Sequence, residues 1–337
     1  MVAQLGDLMI TVSRRGLIGL LASTSVWPIA AHAQPSGLPR IGYLSGRSYA
    51  TDAHLLQAFR EGLKSTGFID GQNVMIDVRW ADGRYNQVPA MMAELVATKP
   101  NVIAATGGNP VGLAAKAATS TIPVVFSAGA DPVEIGLVSN FNRPGGNLTG
   151  ITLWATELDA KRIDLLREMV PTARTVGLLM NPTNPPAVKE LRSSQAAAAR
   201  LGITLDVQNA SSSEEIERAF QAWPAGKIDA LAVSADAFLI NQRRRIMALV
   251  GNRRLPAIYP SREFPEDGGL ASYGTRWTDM YRIVGVYAGR ILKGEKPGDL
   301  PIQRPTTYEL VINQRTAKSL GLTLPPILLA HANEVID

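Results

Sequence analysis

Between Asn101 and Val138 the chain runs twice through one cycle, a short apolar run followed by a small polar break and then a further apolar stretch. Asn101–Ala105 reads as a buried strand, Thr106-Gly107-Gly108-Asn109-Pro110 as a loop, and the alanine-rich Val111–Thr119 as a helix. Pro123–Phe126 is a second strand, followed by the polar break Ser127-Ala128-Gly129-Ala130-Asp131-Pro132 and the apolar Val133–Val138, read as the next helix. Strand, loop and helix in that order predict an open parallel α/β sheet, whose loops at the carboxyl ends of the strands are where ligands bind. Helix amino termini there offer free N–H groups and a positive dipole end to an anionic group. Thr106, Asn109, Ser127 and Asp131 add side-chain hydrogen bonds. TGGNP matches neither the dinucleotide nor the nucleoside-triphosphate glycine pattern, so neither class of site is indicated.

The same rhythm extends both ways. Pro39–Ser45 is a strand ending at Ser45-Gly46, and Asp52 is placed to cap a helix running to Thr66. Asn73–Trp80 is a strand and Pro89–Thr98 a helix. After the break Asn142–Asn147 and the strand Leu148–Leu153, a second series begins. Helices are predicted at Glu157–Val170, Ala187–Leu201, Ser213–Trp223 and Phe238–Val250; strands at Thr175–Met180, Thr204–Gln208, Ala230–Ser234 and Ala257–Tyr259. Gly268–Gly274 is strand-like, Thr278–Leu292 helical, Thr307–Asn313 a strand, Gln314–Leu320 a helix, and Leu322–Asp337 a tail. Two α/β lobes of similar size follow.

Composition excludes several functions. The 337 residues are 46% apolar and 19% charged, enough for a substantial core and unlike a disordered chain. With no cysteine, disulfides, thiol catalysis and thiolate metal sites are ruled out, and His32, His54 and His331 lie too far apart in sequence to suggest a histidine metal cluster. No cofactor and no catalytic set is expected. The net charge of +5 is spread along the chain, and Arg243-Arg244-Arg245 sits in a helical pattern as a solvated face, so no nucleic-acid partner is expected. Residues 1–33 read as a signal peptide. Arg14-Arg15 precedes the apolar Gly16–Ala22, and Ala31-His32-Ala33 provides the cleavage signature. Cleavage after Ala33 would release a periplasmic protein, by the general secretory or the twin-arginine route; the start codon is either Met1 or Met9.

Five long stretches carry a family resemblance: Ala58–Val96, Ala114–Thr152, Leu255–Gly274, Gly289–Asn313 and Thr316–Pro326. They resemble the periplasmic substrate-binding proteins of ABC transporters, in the uncharacterised family related to tryptophan- and tyrosine-binding proteins. The resemblance covers nearly all of the mature chain. It implies a type I periplasmic-binding-protein fold: two doubly wound parallel-sheet lobes joined by a three-strand hinge. Lobe 1 would comprise 38–147 plus 274–300 and lobe 2 would comprise 150–269 plus 305–333, with crossovers near Asn147–Leu153, Leu270–Gly274 and Pro301–Thr306. It also implies a monomer that binds a small molecule, an amino acid or aromatic carboxylate, and delivers it to membrane permease subunits. The ligand residues it nominates are Ser45, Gly46, Thr106, Gly107, Asn109, Ser127, Ala128 and Asp131 from lobe 1. From lobe 2 and the crossovers come Trp154, Asn181, Asn184, Asp236, Tyr259, Arg262 and Tyr273.

In that scheme Ser127, Thr106 and backbone N–H groups hold a carboxylate, Asp131 or Asp236 an ammonium group, and Trp154, Tyr259 or Tyr273 a planar group. Each has a structural alternative. Asp131 and Asp236 are equally suited to cap helices, Asn181-Pro182 to turn the chain, Trp154 to pack at the hinge, either tyrosine to face the core, and Arg262 to pair with Glu263. A sensor subunit with the same cleft, or an exported enzyme, are the competing functions. A DNA-binding repressor of this fold would need a helix-turn-helix where the export signal lies.

Overall fold

The computed structural model describes residues 37–152 and 156–337. The first series is β1 (Arg40–Ser45), α1 (Tyr49–Ser65), β2 (Met75–Trp80), α2 (Val88–Ala97), β3 (Val102–Thr106), α3 (Asn109–Ala118), β4 (Val124–Ala128) and β5 (Leu148–Thr152). These strands form one parallel sheet in the order β2-β1-β3-β4-β5. β3, β4 and β5 are buried along their whole length, because helices cover both faces of a parallel sheet and leave no solvated side.

The second series is α4 (Thr156–Met169), β6 (Thr175–Met180), α5 (Ala187–Leu201), β7 (Thr204–Asn209), α6 (Ser213–Ala222), β8 (Ala230–Val233), α7 (Ala237–Asn241), α8 (Arg243–Asn252), β9 (Ala257–Tyr259), α9 (Glu263–Glu266) and β10 (Ala271–Thr275). After α10 (Trp277–Leu292) come β11 (Tyr308–Asn313), α11 (Gln314–Ser319), α12 (Pro326–His331) and β12 (Glu334–Ile336). The second sheet has the order β12-β11-β10-β9-β8-β6-β7. α10 does not stay with it. Met280, Tyr281, Val284, Tyr287 and Ala288 pack with Leu55, Phe59 and Leu63 of α1 in the core of the first sheet. Beside β5, Gln303 pairs with Ile151 before the chain enters β11.

Several local expectations are corrected. α1 begins at Tyr49, with Ser48 at its cap, because the Asp52 carboxylate is taken by Arg47 instead of by the helix amino terminus; Asp52 itself is non-helical (φ −132°, ψ 20°) and kinks α1. Val133–Val138 forms successive turns and no helix, since Gly136 enters the left-handed region (φ +73°) one turn after Asp131. The helix expected over Phe238–Val250 is broken at Gln242 into α7 and α8. Arg243, expected on a solvated face, is buried and pairs with Asp267 at 2.8 Å. β11 runs antiparallel to β10, so the second sheet is mixed. The supposed tail holds α12 and β12, the latter pairing with β11 as an edge strand. The expected export signal and Trp154 lie outside the described residues.

Candidate functional site: a cavity between two switch points

The strand order reverses direction between β1 and β3 in the first sheet and between β6 and β8 in the second. Adjacent helices leave such a point on opposite faces, so a crevice opens at the carboxyl ends of the two strands. The two crevices face each other across one cavity of about 450 Å³, counted out to its mouth. Arg47, Tyr85, Gly107, Gly108, Asn109, Ser127, Ala128, Gly129 and Trp277 line it from one side, and Asn184, Ala235, Asp236 and Ala237 from the other.

Backbone proximity shapes the first wall. Gly46 N donates to Thr106 O at 3.0 Å, and a Cβ on Gly46 would lie 2.4 Å from Gly107 O, so no other residue fits there. Gly107 (φ +78°) donates its N–H to Ser127 Oγ at 3.2 Å. That hydroxyl has accepted one bond and keeps its own proton for a ligand. Asn109 Oδ1 accepts from Gly129 N (2.9 Å) and Ala130 N (3.2 Å), which ties the β3 and β4 loops together.

The second wall centres on Asp236, the cap of α7. Its Oδ1 accepts from Leu239 N and Asn181 Nδ2, both at 3.1 Å, and its Oδ2 accepts from Tyr85 OH at 2.9 Å. Burial raises its pKa, and these donors oppose the rise. The Tyr85 bond joins the two walls. So do Asn109 Nδ2 donating to Asn184 Oδ1 (3.1 Å), Asn241 Nδ2 to Gly46 O (3.4 Å), the His54–Glu263 contact (3.1 Å) and the Lys189–Glu134 ion pair. These contacts hold the two walls against each other.

The strongest chemical signal is Arg47, only 1% exposed. Its Nη2 donates to Asp52 Oδ1 at 2.5 Å, and its guanidinium carbon lies 4.9 Å from the Trp277 ring centroid. Burial disfavours its charge, but the Asp52 carboxylate outweighs burial and keeps the guanidinium charged. Nε and Nη1 have no partner among the described residues. A buried guanidinium that leaves two donors unsatisfied is costly unless an acceptor arrives.

Of the residues nominated from sequence, Gly107, Asn109, Ser127, Ala128, Asn184 and Asp236 line the cavity. Ser45, Gly46 and Thr106 shape its wall from behind: Ser45 Oγ accepts from Arg47 N, and all three are buried. Asn181 acts through Asp236. Four others are placed elsewhere. Asp131 caps its own turn, accepting from Val133 N (2.8 Å) and Glu134 N (3.3 Å). Tyr259 is stacked on Phe264 with ring centroids 4.3 Å apart, inside the apolar core. Arg262 is held by Glu266, Glu309 and Glu334, not by Glu263. Tyr273 leans on Tyr308. Sequence reasoning missed Arg47, Tyr85 and Trp277. Arg47 follows the strand-end pair Ser45-Gly46 directly and was open to nomination; Tyr85 and Trp277 reach the cavity only through the fold.

A buried charged cluster lies near the second wall. Arg162 pairs with Asp159 and donates from Nε to Tyr273 O at 2.8 Å. Burial, then the charge of Asp159, lifts the nearby Glu190 carboxyl to about 9. The folded chain thus keeps this proton between pH 4.5 and about 9 while the unfolded chain releases it, so ionisation lowers stability across that window. Glu190→Gln should match the parent near pH 4.5 and exceed it at pH 8 by roughly 2–4 kcal/mol. Urea unfolding at the two pH values checks this, and a difference independent of pH would refute it.

A family model for ABC transporter substrate-binding proteins matches residues 49–336. The tyrosine-binding protein of Clostridioides difficile (strain R20291) is 27% identical over 266 residues, 79% of this chain and 76% of that protein. A Streptococcus pneumonia domain solved in complex with L-Trp superposes with a TM-score of 0.81 at 26% identity, covering 89% of this chain and all of that one. The ligand-free, open structure of a Clostridium difficile substrate-binding protein with adhesive properties scores 0.64 at 25% identity, covering 89% and 99%. The fold is the type I periplasmic-binding-protein fold, and the chain belongs to the family of ABC transporter substrate-binding proteins.

Proposed function

We propose that this protein captures an α-amino acid with a planar side chain between its lobes and presents it to membrane permease subunits. The observation that carries the reading is the pair of unpartnered donors on buried Arg47, Nε and Nη1, each of which can give a charge-assisted hydrogen bond to a ligand carboxylate oxygen. Ser127 Oγ and the opening turn of α3 add donors on the same side. Across the cavity, Asp236 Oδ2 accepts only from Tyr85 among the described residues and keeps a lone pair for an ammonium group. Trp277 and Tyr85 line the cavity and suit a planar side chain. One relative is named a tyrosine-binding protein and another was crystallised in complex with L-Trp, which supports the reading. Residues 1–33 act as the export signal, cleaved after Ala33, and place a monomeric carrier in the periplasm. The lobes, 38–147 plus 274–300 against 150–269 plus 305–333, move about the strands that join them.

The test is a thermal-shift series on Gln34–Asp337 with L-Tyr, L-Trp, L-Phe, tyramine and 3-(4-hydroxyphenyl)propionate. An amino acid at about a hundred times its Kd should add about 2.7 kcal/mol of stability. Tyramine, lacking the carboxylate, should give none. Equal shifts with tyramine and tyrosine, or shifts only with sugars, would overturn the reading.

A further inference from the structure

Outside the ligand cavity, on the far side of Arg47, Asp52, His54 and Glu263 present ligand atoms that all lie within 4.8 Å of one another. Asp52 and His54 come from α1, while Glu263 opens α9 on the other lobe. His54 Nε2 lies 3.1 Å from Glu263 Oε1. Glu263 is only 6% exposed, yet its Oε2 has no partner among the described residues. A buried carboxylate oxygen with nothing to accept is costly, and in a native site it marks a missing donor or cation.

We propose that Asp52, His54 and Glu263 form a divalent-cation site, best suited to Zn²⁺, that bridges the two lobes in the closed protein. Imidazole nitrogen and carboxylate oxygen are both zinc donors, and three protein ligands leave the fourth tetrahedral position to water. His54 is 43% exposed at the side chain, so its ring is free to turn and a water can reach the metal. Asp52 already accepts from Arg47 on Oδ1 and from Thr51 Oγ1 on Oδ2 (2.6 Å), but each carboxylate oxygen carries two lone pairs and Oδ2 retains one. Charge favours the ion. Glu263, Glu266 and Asp267 face Arg243 and Arg262 in this pocket, three acids against two fixed cations, and Asp52 is paired with Arg47 beside it. Because the ligands come from both lobes, the metal selects the closed arrangement.

Isothermal titration of tag-free Gln34–Asp337 with ZnCl₂ and no organic ligand tests the site independently of the amino-acid reading. One zinc per chain is expected, with a melting temperature raised by roughly 5 °C at a hundredfold excess over Kd. Mg²⁺ and Ca²⁺ should do much less, since they need more oxygen ligands. His54→Ala and Glu263→Gln should each weaken zinc binding at least tenfold, and His331→Ala, at an exposed distant position, should leave it unchanged. The two site variants act at an exposed ring and by an isosteric change, so their folded fraction is checked by circular dichroism in the same samples. Absence of zinc binding by the parent, binding unchanged by His54→Ala, or binding lost with His331→Ala would each overturn the proposal.

Discussion

Arg47→Met is expected to abolish amino-acid binding at any practical concentration, a loss of roughly a hundredfold or more. A charged partner removed from a buried, hydrogen-bonded pair costs about 2–5 kcal/mol of binding, and here the ligand carboxylate would be left facing Asp236 with no cation. The variant also strands Asp52, which is fully buried, and breaking a buried ion pair from one side costs about 3–5 kcal/mol of stability. Arg47→Met/Asp52→Asn removes both charges and separates the two effects. The double variant should recover most of the stability and none of the affinity. Calorimetric titration with the best amino acid, alongside urea unfolding, gives both numbers. A double variant that binds like the parent would show that Arg47 serves only the fold, and the carboxylate role would fall.

Gly285→Val should cost about 3 kcal/mol or more of stability, while Gly251→Ala should gain up to about 1 kcal/mol. Both glycines lie in helices, where glycine is the weaker helix former. At Gly251 nothing lies within 4 Å of a built Cβ, so propensity decides the sign. At Gly285 that Cβ would fall 2.0 Å from Phe59 O and 2.7 Å from Leu63 N. Gly62 meets Arg282 O at 1.9 Å in the same way from the opposite helix. α1 and α10 thus pack backbone to backbone, and neither main chain can yield without shifting a whole helix. α10 starts at Trp277 on the cavity wall, so Gly285→Val should weaken ligand binding as well. Urea unfolding of the two variants checks the opposite signs; a neutral Gly285→Val would mean that the helices have room to separate.

The alternation of apolar strands with amphipathic helices is local, fixed by the 2.0 and 3.6 residue periods, and the parallel two-lobe plan was legible from it. So were the strand-end loops, because glycine at 107 and polar side chains at 109, 127, 184 and 236 stand where the pattern breaks. What was not legible depended on partners distant in the chain. Asp52 looked like a cap until Arg47 claimed its carboxylate, and Tyr259 and Tyr273 looked like cavity walls because a strand end does not reveal which face is buried. Arg243 looked solvated until the break at Gln242 turned it towards Asp267. Trp277 belongs to the cavity only because the chain returns to the first lobe as α10. His54 meets Glu263 across 209 positions, a juxtaposition that no spacing rule anticipates. The periodicities and the loops were readable along the chain, since these arise between near neighbours. Which side chains converge, and which are left with an unmet hydrogen bond, was decided by tertiary packing, because burial and pairing are properties of the surroundings and not of the residue.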